Sequence, residues 1–147
     1  MTGTRQVFDD LVRFETMLWS AVDARLQAES GVTLGAVNVM LVLEAVPQCR
    51  VLDIAQRLAI TVGGASQAVD RLAAAGHCSR RAHPSDRRSS IVELTADGAA
   101  TLTRAAPVFD DELERRLRGP LSAEAFGSLG AALADLRRAA GTGERKA

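Results

Sequence analysis

Four arginines, Arg80, Arg81, Arg87 and Arg88, fall within nine residues against one acid, Asp86, in a chain whose 18 basic and 18 acidic residues otherwise cancel. A guanidinium is always charged and presents a planar fork of donors, which suits phosphate oxygens and the negative potential of a narrow duplex groove. Asp86 has a place in such a cluster, because its carboxylate can accept from the backbone two residues on and also hold Arg88 in position. A second polar set precedes it. Ala65, Ala68, Val69 and Leu72 recur at helical steps and leave Gly63, Gly64, Ser66, Gln67, Asp70 and Arg71 on the remaining surface, just after Thr61. Small side chains near a helix start let its backbone approach phosphates, and the Gln67 amide can pair bidentately with adenine. Taken singly, each set also reads as something plainer, a solvated helix face or a polar turn with a surface salt bridge.

The elements that must position these residues lie between 51 and 98 without a linker. Ile54, Ala55 and Leu58 share one face of a short helix, supported by Asp53 four residues before Arg57. Ile60 closes a turn, and the Thr61 hydroxyl can accept from the free N–H groups of a helix starting at about Val62. Gly76 ends that helix in the left-handed conformation. Cys78 to His83 and Ser89 to Leu94 alternate as two strands around a turn at Pro84, Ser85 and Asp86. Helix, turn, helix and hairpin in that order make a winged helix-turn-helix.

The Asp70-Arg71-Leu72 run before Gly76, and the tip Asp86-Arg87-Arg88 followed by Leu94-Thr95 and Gly98, resemble the MarR family of bacterial transcription regulators over nearly the whole chain. The resemblance implies a winged-helix homodimer that binds double-stranded DNA at pseudo-palindromic operators, usually as a repressor released by a small molecule. By position, Asp86 and Arg88 match the family's wing pair, and Thr61 to Gln67 match the start of its recognition helix. Gly63 and Gly64 depart from the larger polar residues common there, and His77 replaces a usual aliphatic.

The rest of the chain is read as helices that serve this unit. From Arg5 to about Glu29, one apolar stripe runs through Val7, Leu11, Phe14, Leu18 and Val22 and another through Phe8, Val12, Trp19 and Leu26, so the second face is assigned to a partner subunit. Thr33 caps a helix reaching about Val46, with Val39, Met40, Leu43 and Val46 in the core, and Pro47 stops it. In the connector 48–51, Val51 is placed to add a minor strand against the wing. Thr95 caps a helix with Leu102, Ala106, Phe109, Leu113 and Leu117, kinked at Pro107, and Ser122 caps a last one with Phe126, Leu129, Leu133, Leu136 and Ala140. The expected fold is mainly α: one domain of 147 residues, with 33–98 the winged helix-turn-helix, 1–32 and 99–140 a dimerisation lobe, and 141–147 a disordered tail.

Composition narrows the function. A zero net charge means that any attraction to DNA is local, not global. No nucleophile is matched to a base, so no catalytic residue or cofactor is expected, and the chain is not expected to be an enzyme. His77, Cys78 and His83 have strand spacing rather than zinc-site spacing, so no metal is expected. No apolar run approaches membrane-spanning length and no signal pattern opens the chain, which predicts a cytoplasmic protein without a membrane partner. Two readings compete with the DNA-binding one: a winged-helix module that docks on protein, and a thiol sensor in which Arg80 and Arg81 lower the pKa of Cys78. Cys49 is the other thiol. A hydrophobic, aromatic effector is expected in a crevice near Phe14, Trp19 and Met40, positions that also suit a core; the residues that bind it are not identified.

Overall fold

The structure, a computed structural model, describes residues 3–143. The chain divides into two compact units, Met1–Asp110 and Asp111–Ala147.

In the first unit, α1 spans Thr4–Ser30 and stops at Gly31, whose φ of +68° is the left-handed conformation that glycine adopts without Cβ strain. Its two stripes are buried only near the C-terminal end, at Val22 and Leu26. Val7, Phe8, Leu11, Val12, Phe14, Met17 and Trp19 are all exposed, so most of both stripes, and not just the second, lacks cover within the chain. The helix is tied to the next by Asp23, whose carboxylate accepts from the Leu34 backbone N–H at 2.8 Å.

Helix α2, Leu34–Ala45, is apolar nearly all round and is accordingly the central element, with Val37, Val39 and Met40 fully enclosed. Thr33 caps it as expected, accepting from Ala36 N–H at 3.1 Å. Leu43 is buried, whereas Val46 is half-buried and follows the helix. Around α2 pack α3, Val51–Leu58, and α4, Val62–Ala74. Ile54, Ala55, Ala65, Val69 and Leu72 are the residues these helices bury. Asp53 does not support Arg57 by an ion pair; it turns back to accept from Arg50 N–H at 2.8 Å, closing the first turn of α3. Val51 is the first residue of that helix rather than a strand residue. The connector does touch the wing, but through Cys49, whose carbonyl accepts from Val92 N–H at 2.8 Å.

The wing is an antiparallel pair, β1 Cys78–His83 and β2 Asp86–Leu94, so the turn is the two residues Pro84 and Ser85, and Asp86, Arg87 and Arg88 belong to the strand. Cys78 to Ala82 pair with Leu94 to Ser90, while His83 pairs with Asp86. Arg87, Arg88 and Ser89 therefore face no residue of β1 and form a bulge. Ile91 and Val92 carry the strand's burial into the core.

Helix α5, Ala96–Leu113, starts under a double use of Thr95: its hydroxyl donates to Gly76 C=O at 2.6 Å and accepts from Gly98 N–H at 3.0 Å. The helix continues through Pro107 to Leu113. In the second unit a π-helical turn, Glu114–Arg118, follows. Glu112 there is buried, with Arg116 and Arg115 as its cationic partners. Ser122 caps α6, Ala123–Gly143, by accepting from Ala125 N–H at 3.1 Å. Phe126, Leu133 and Leu136 on α6 are exposed, and the Arg118 guanidinium lies 5.4 Å from the Phe126 ring centre. Residues 141–143, expected in a disordered tail, are helical, and 144–147 lie outside the described residues.

Candidate nucleic-acid interface

Helix α4 presents three differently furnished sides. At 100° per residue, Gly63, Gln67, Asp70 and Ala74 fall on one line, pointing away from the buried Ala65, Val69 and Leu72. Ser66 lies towards one flank; Gly64, Ala68, Arg71 and Ala75 lie towards the other. Thr61 starts the helix by accepting from Gly64 N–H at 3.0 Å, and Gln67 is exposed. Nothing lies within 4 Å of the place where a Cβ on Gly63 would stand, so that glycine leaves open space at the helix start. Neither Gly63 nor Gly64 has a positive φ, so neither is there to permit a left-handed backbone.

Asp70, read from the sequence as a surface residue of this helix, would put a negative charge in line with Gln67. The fold neutralises it: Arg80 reaches from β1 to Asp70 Oδ1 at 2.6 Å and to Ser66 C=O at 3.4 Å. Arg81 is likewise taken, by Glu93 at 2.7 Å on the neighbouring strand. Two of the four clustered arginines thus have acids from elsewhere in the fold, and the basic excess of the wing is smaller than the local sequence suggests. No spacing rule reveals these partners, which lie ten and twelve residues away along the chain.

The wing tip keeps what the sequence suggested for Asp86, in part. Its Oδ1 accepts from Arg88 N–H at 3.0 Å, fixing the backbone of the bulge. The carboxylate does not hold the Arg88 side chain: among the described residues the guanidinium has no protein partner and is exposed. The Arg87 backbone is part of β2, and its side chain lies outside the described residues. The fold thus leaves exposed an arginine on the wing bulge and the small-residue start of α4. That is the layout of a helix for the major groove with a wing for the backbone or minor groove.

Arg71 does not share the Gln67 line. It borders a cavity of about 280 Å³ between the α1–α2 turn and the C-terminal half of α4, lined also by Gly31, Gly35, Ala68, Leu72 and His77. The crevice expected near Phe14, Trp19 and Met40 is not this cavity: Met40 is core, and the other two stand exposed on α1. His77 is held at the rear by Thr101, whose hydroxyl lies 3.4 Å from Nε2.

Both thiols are buried. Burial pushes the Cys78 thiol up from its ordinary range, and the opposing charge of Arg80 is too weak to reverse this. Burial, reinforced by Asp53, pushes Cys49 up to about 11. Among the described residues no group of three or more His, Cys, Asp or Glu side chains could hold a metal ion. No single helix among them is long and apolar enough to cross a membrane.

Residues 30–89, which contain α2 to the wing tip, match the model of the MarR family. The chain belongs to that family of transcriptional regulators. Its members are transcription factors and not enzymes. The chain is 30% identical over 88 residues, 60% of each chain, to the HTH-type transcriptional regulator BilQ of Clostridium symbiosum (strain WAL-14163). The match thus spans less than two thirds of that relative's length. Among solved structures, Sco3205 of Streptomyces coelicolor, a MarR family regulator in complex with DNA, superimposes with a TM-score of 0.86 at 26% identity, over 95% of this chain and 93% of that one. The repressor CouR, bound to a 23-mer DNA duplex, superimposes with a TM-score of 0.78 at 31% identity, over 86% and 89%. A second structure, CouR from Rhodococcus jostii RHA1 bound to p-coumaroyl-CoA, shares the fold with a TM-score of 0.76 at 20% identity, over 86% of this chain and 87% of that one.

Proposed function

We propose that this MarR-family chain is a homodimeric, sequence-specific regulator that binds double-stranded DNA at a pseudo-palindromic operator, acts as a repressor in the cytoplasm, and is released by a small molecule. The observation that carries the reading is the pairing of an exposed Gly63–Gln67 helix start with an unpaired Arg88 on a wing bulge whose backbone Asp86 fixes. In this reading Gln67 contacts base edges and Gly63 and Gly64 admit the helix to the groove. Thr61, Ser66, Arg87 and Arg88 address the sugar-phosphate backbone or minor groove. Asp86 acts on the wing backbone. Arg71 belongs to the cavity side of α4 and serves DNA only at the edge of the contact.

The exposed apolar lengths of α1 and α6 are the surfaces a second copy would cover, and two copies place two α4 helices for two half-sites. A small aromatic or hydrophobic effector would enter the cavity beside Ala68 and Leu72, with Arg71 at its edge as the partner for an acidic group. Binding there would bear on α4 directly. The test is a titration of the protein into labelled duplex covering its own upstream region, in 50 to 200 mM salt, roughly the range over which phosphate-dominated binding changes steeply. Saturable binding that survives an excess of unrelated duplex supports the reading. Equal affinity for any duplex removes the operator, and no binding at all leaves a winged helix that docks on protein.

A further inference from the structure

The wing is fastened to the helix-turn-helix at its base through Cys49 and Val92, and again near its tip. A terminal nitrogen of the Arg50 guanidinium lies 2.8 Å from Nε2 of His83. On the other side of the ring, Nδ1 lies 3.0 Å from Ser85 Oγ and 3.1 Å from Ser85 N. Arg50 itself is fixed at the start of α3, with its N–H given to Asp53 and its carbonyl accepting from Ile54 N–H at 3.2 Å. His83 closes the hairpin opposite Asp86 and borders the bulge that carries Arg88.

A guanidinium can only donate, so its bond to Nε2 needs the tautomer with the ring proton on Nδ1, facing Ser85 Oγ; the other tautomer instead accepts the Ser85 N–H at Nδ1. One ring thus spends one nitrogen on α3 and the other on the turn. We propose that Arg50 and His83 are a positioning pair: neither touches DNA, and their hydrogen bond sets where the bulge and Arg88 stand relative to the outward face of α4. The geometry stands by itself; its effect on affinity rests on the DNA-binding reading above.

The experiment uses the full chain with four substitutions, Arg50→Ala, His83→Ala, His83→Gln and Arg88→Ala, and two readouts. One is amide hydrogen exchange of residues 85–90 in the free protein; the other is affinity for duplex DNA of its own upstream region. Arg50→Ala and His83→Ala should each speed wing exchange and raise Kd by about tenfold, with the double variant no worse than either, while exchange in α4 stays unchanged. His83→Gln, whose amide oxygen can accept from Arg50, should restore both. Wing exchange at the parent's rate in both alanine variants overturns the pair whatever the DNA result. Faster exchange with unchanged Kd, where Arg88→Ala does weaken binding, overturns its role in placing Arg88. A parent that binds no duplex removes the DNA-binding reading, and the exchange data still decide whether the pair holds the wing.

Discussion

Arg88 and the two glycines of α4 are the residues on which the DNA-binding reading is most exposed to test. The Arg88 guanidinium has no hydrogen-bond or ion-pair partner among the described residues, and its backbone bond to Asp86 survives the substitution, so Arg88→Ala should leave thermal stability unchanged. If its charge neutralises one phosphate per subunit, the slope of log affinity against log salt should fall by about two for a dimer. An unchanged slope would remove the wing from the contact. The glycines separate from one another once the structure is known. Gly63→Ala adds a methyl into open space, gains helix propensity of up to about 1 kcal/mol, less so near the cap, and should melt higher while binding operator less well. Gly64→Ala would set its Cβ 3.0 Å from Thr61 Oγ1, against the hydroxyl that caps the helix, so its propensity gain should be cancelled. Melting curves and operator titrations on both variants check this. If Gly63→Ala binds as well as the parent, the close-approach argument fails.

At the scale of elements, the join between α4, the wing and α5 is the tightest place in the first unit. A Cβ on Gly98 would lie 1.9 Å from His77 C=O, the same oxygen that accepts from Thr95 N–H at 3.1 Å. Backbone cannot yield there as a side-chain tip would. Gly98→Ala should cost about 3 kcal/mol or more and lower the melting midpoint by roughly 10 °C. Melting at the parental temperature would mean that α5 can shift without disturbing α4. The hairpin makes a related point. A two-residue turn at Pro84 and Ser85, counted outward without interruption, sets Arg81 opposite Arg88; the bulge at 87–89 moves Ile91 into that place and leaves Arg88 unpaired.

For the whole molecule, the unanswered surface is apolar. Phe8 is 67% exposed and Met17 70%, on a helix whose neighbours in sequence repeat the pattern, and a soluble monomer rarely leaves so many large apolar side chains contiguous. Sedimentation at micromolar concentration should show one species of twice the chain mass, and Phe8→Glu with Met17→Glu should shift it towards the monomer. A folded parental monomer at that concentration would remove the two half-site model.

Local patterns were enough for much of this. Periodicity, caps and turn residues placed all six helices and both strands within a few residues, because Thr33, Thr61, Thr95 and Ser122 each accept from a backbone N–H three positions on and Gly31 and Gly76 act on their own φ. The same locality made Asp86 readable, since its partner is two residues on. What tertiary structure alone decided involves partners brought together by folding. Arg80 and Arg81 looked like free cations until Asp70 and Glu93 came to meet them, and Arg50 and His83, 33 residues apart, gave no signal at all. The extent of exposed apolar surface on α1 and the cavity beside Arg71 belong to that class too. Sequence spacing reports which residues share an element; which elements share a contact depends on how they pack, and the charge and accessibility of a candidate interface are properties of that packing.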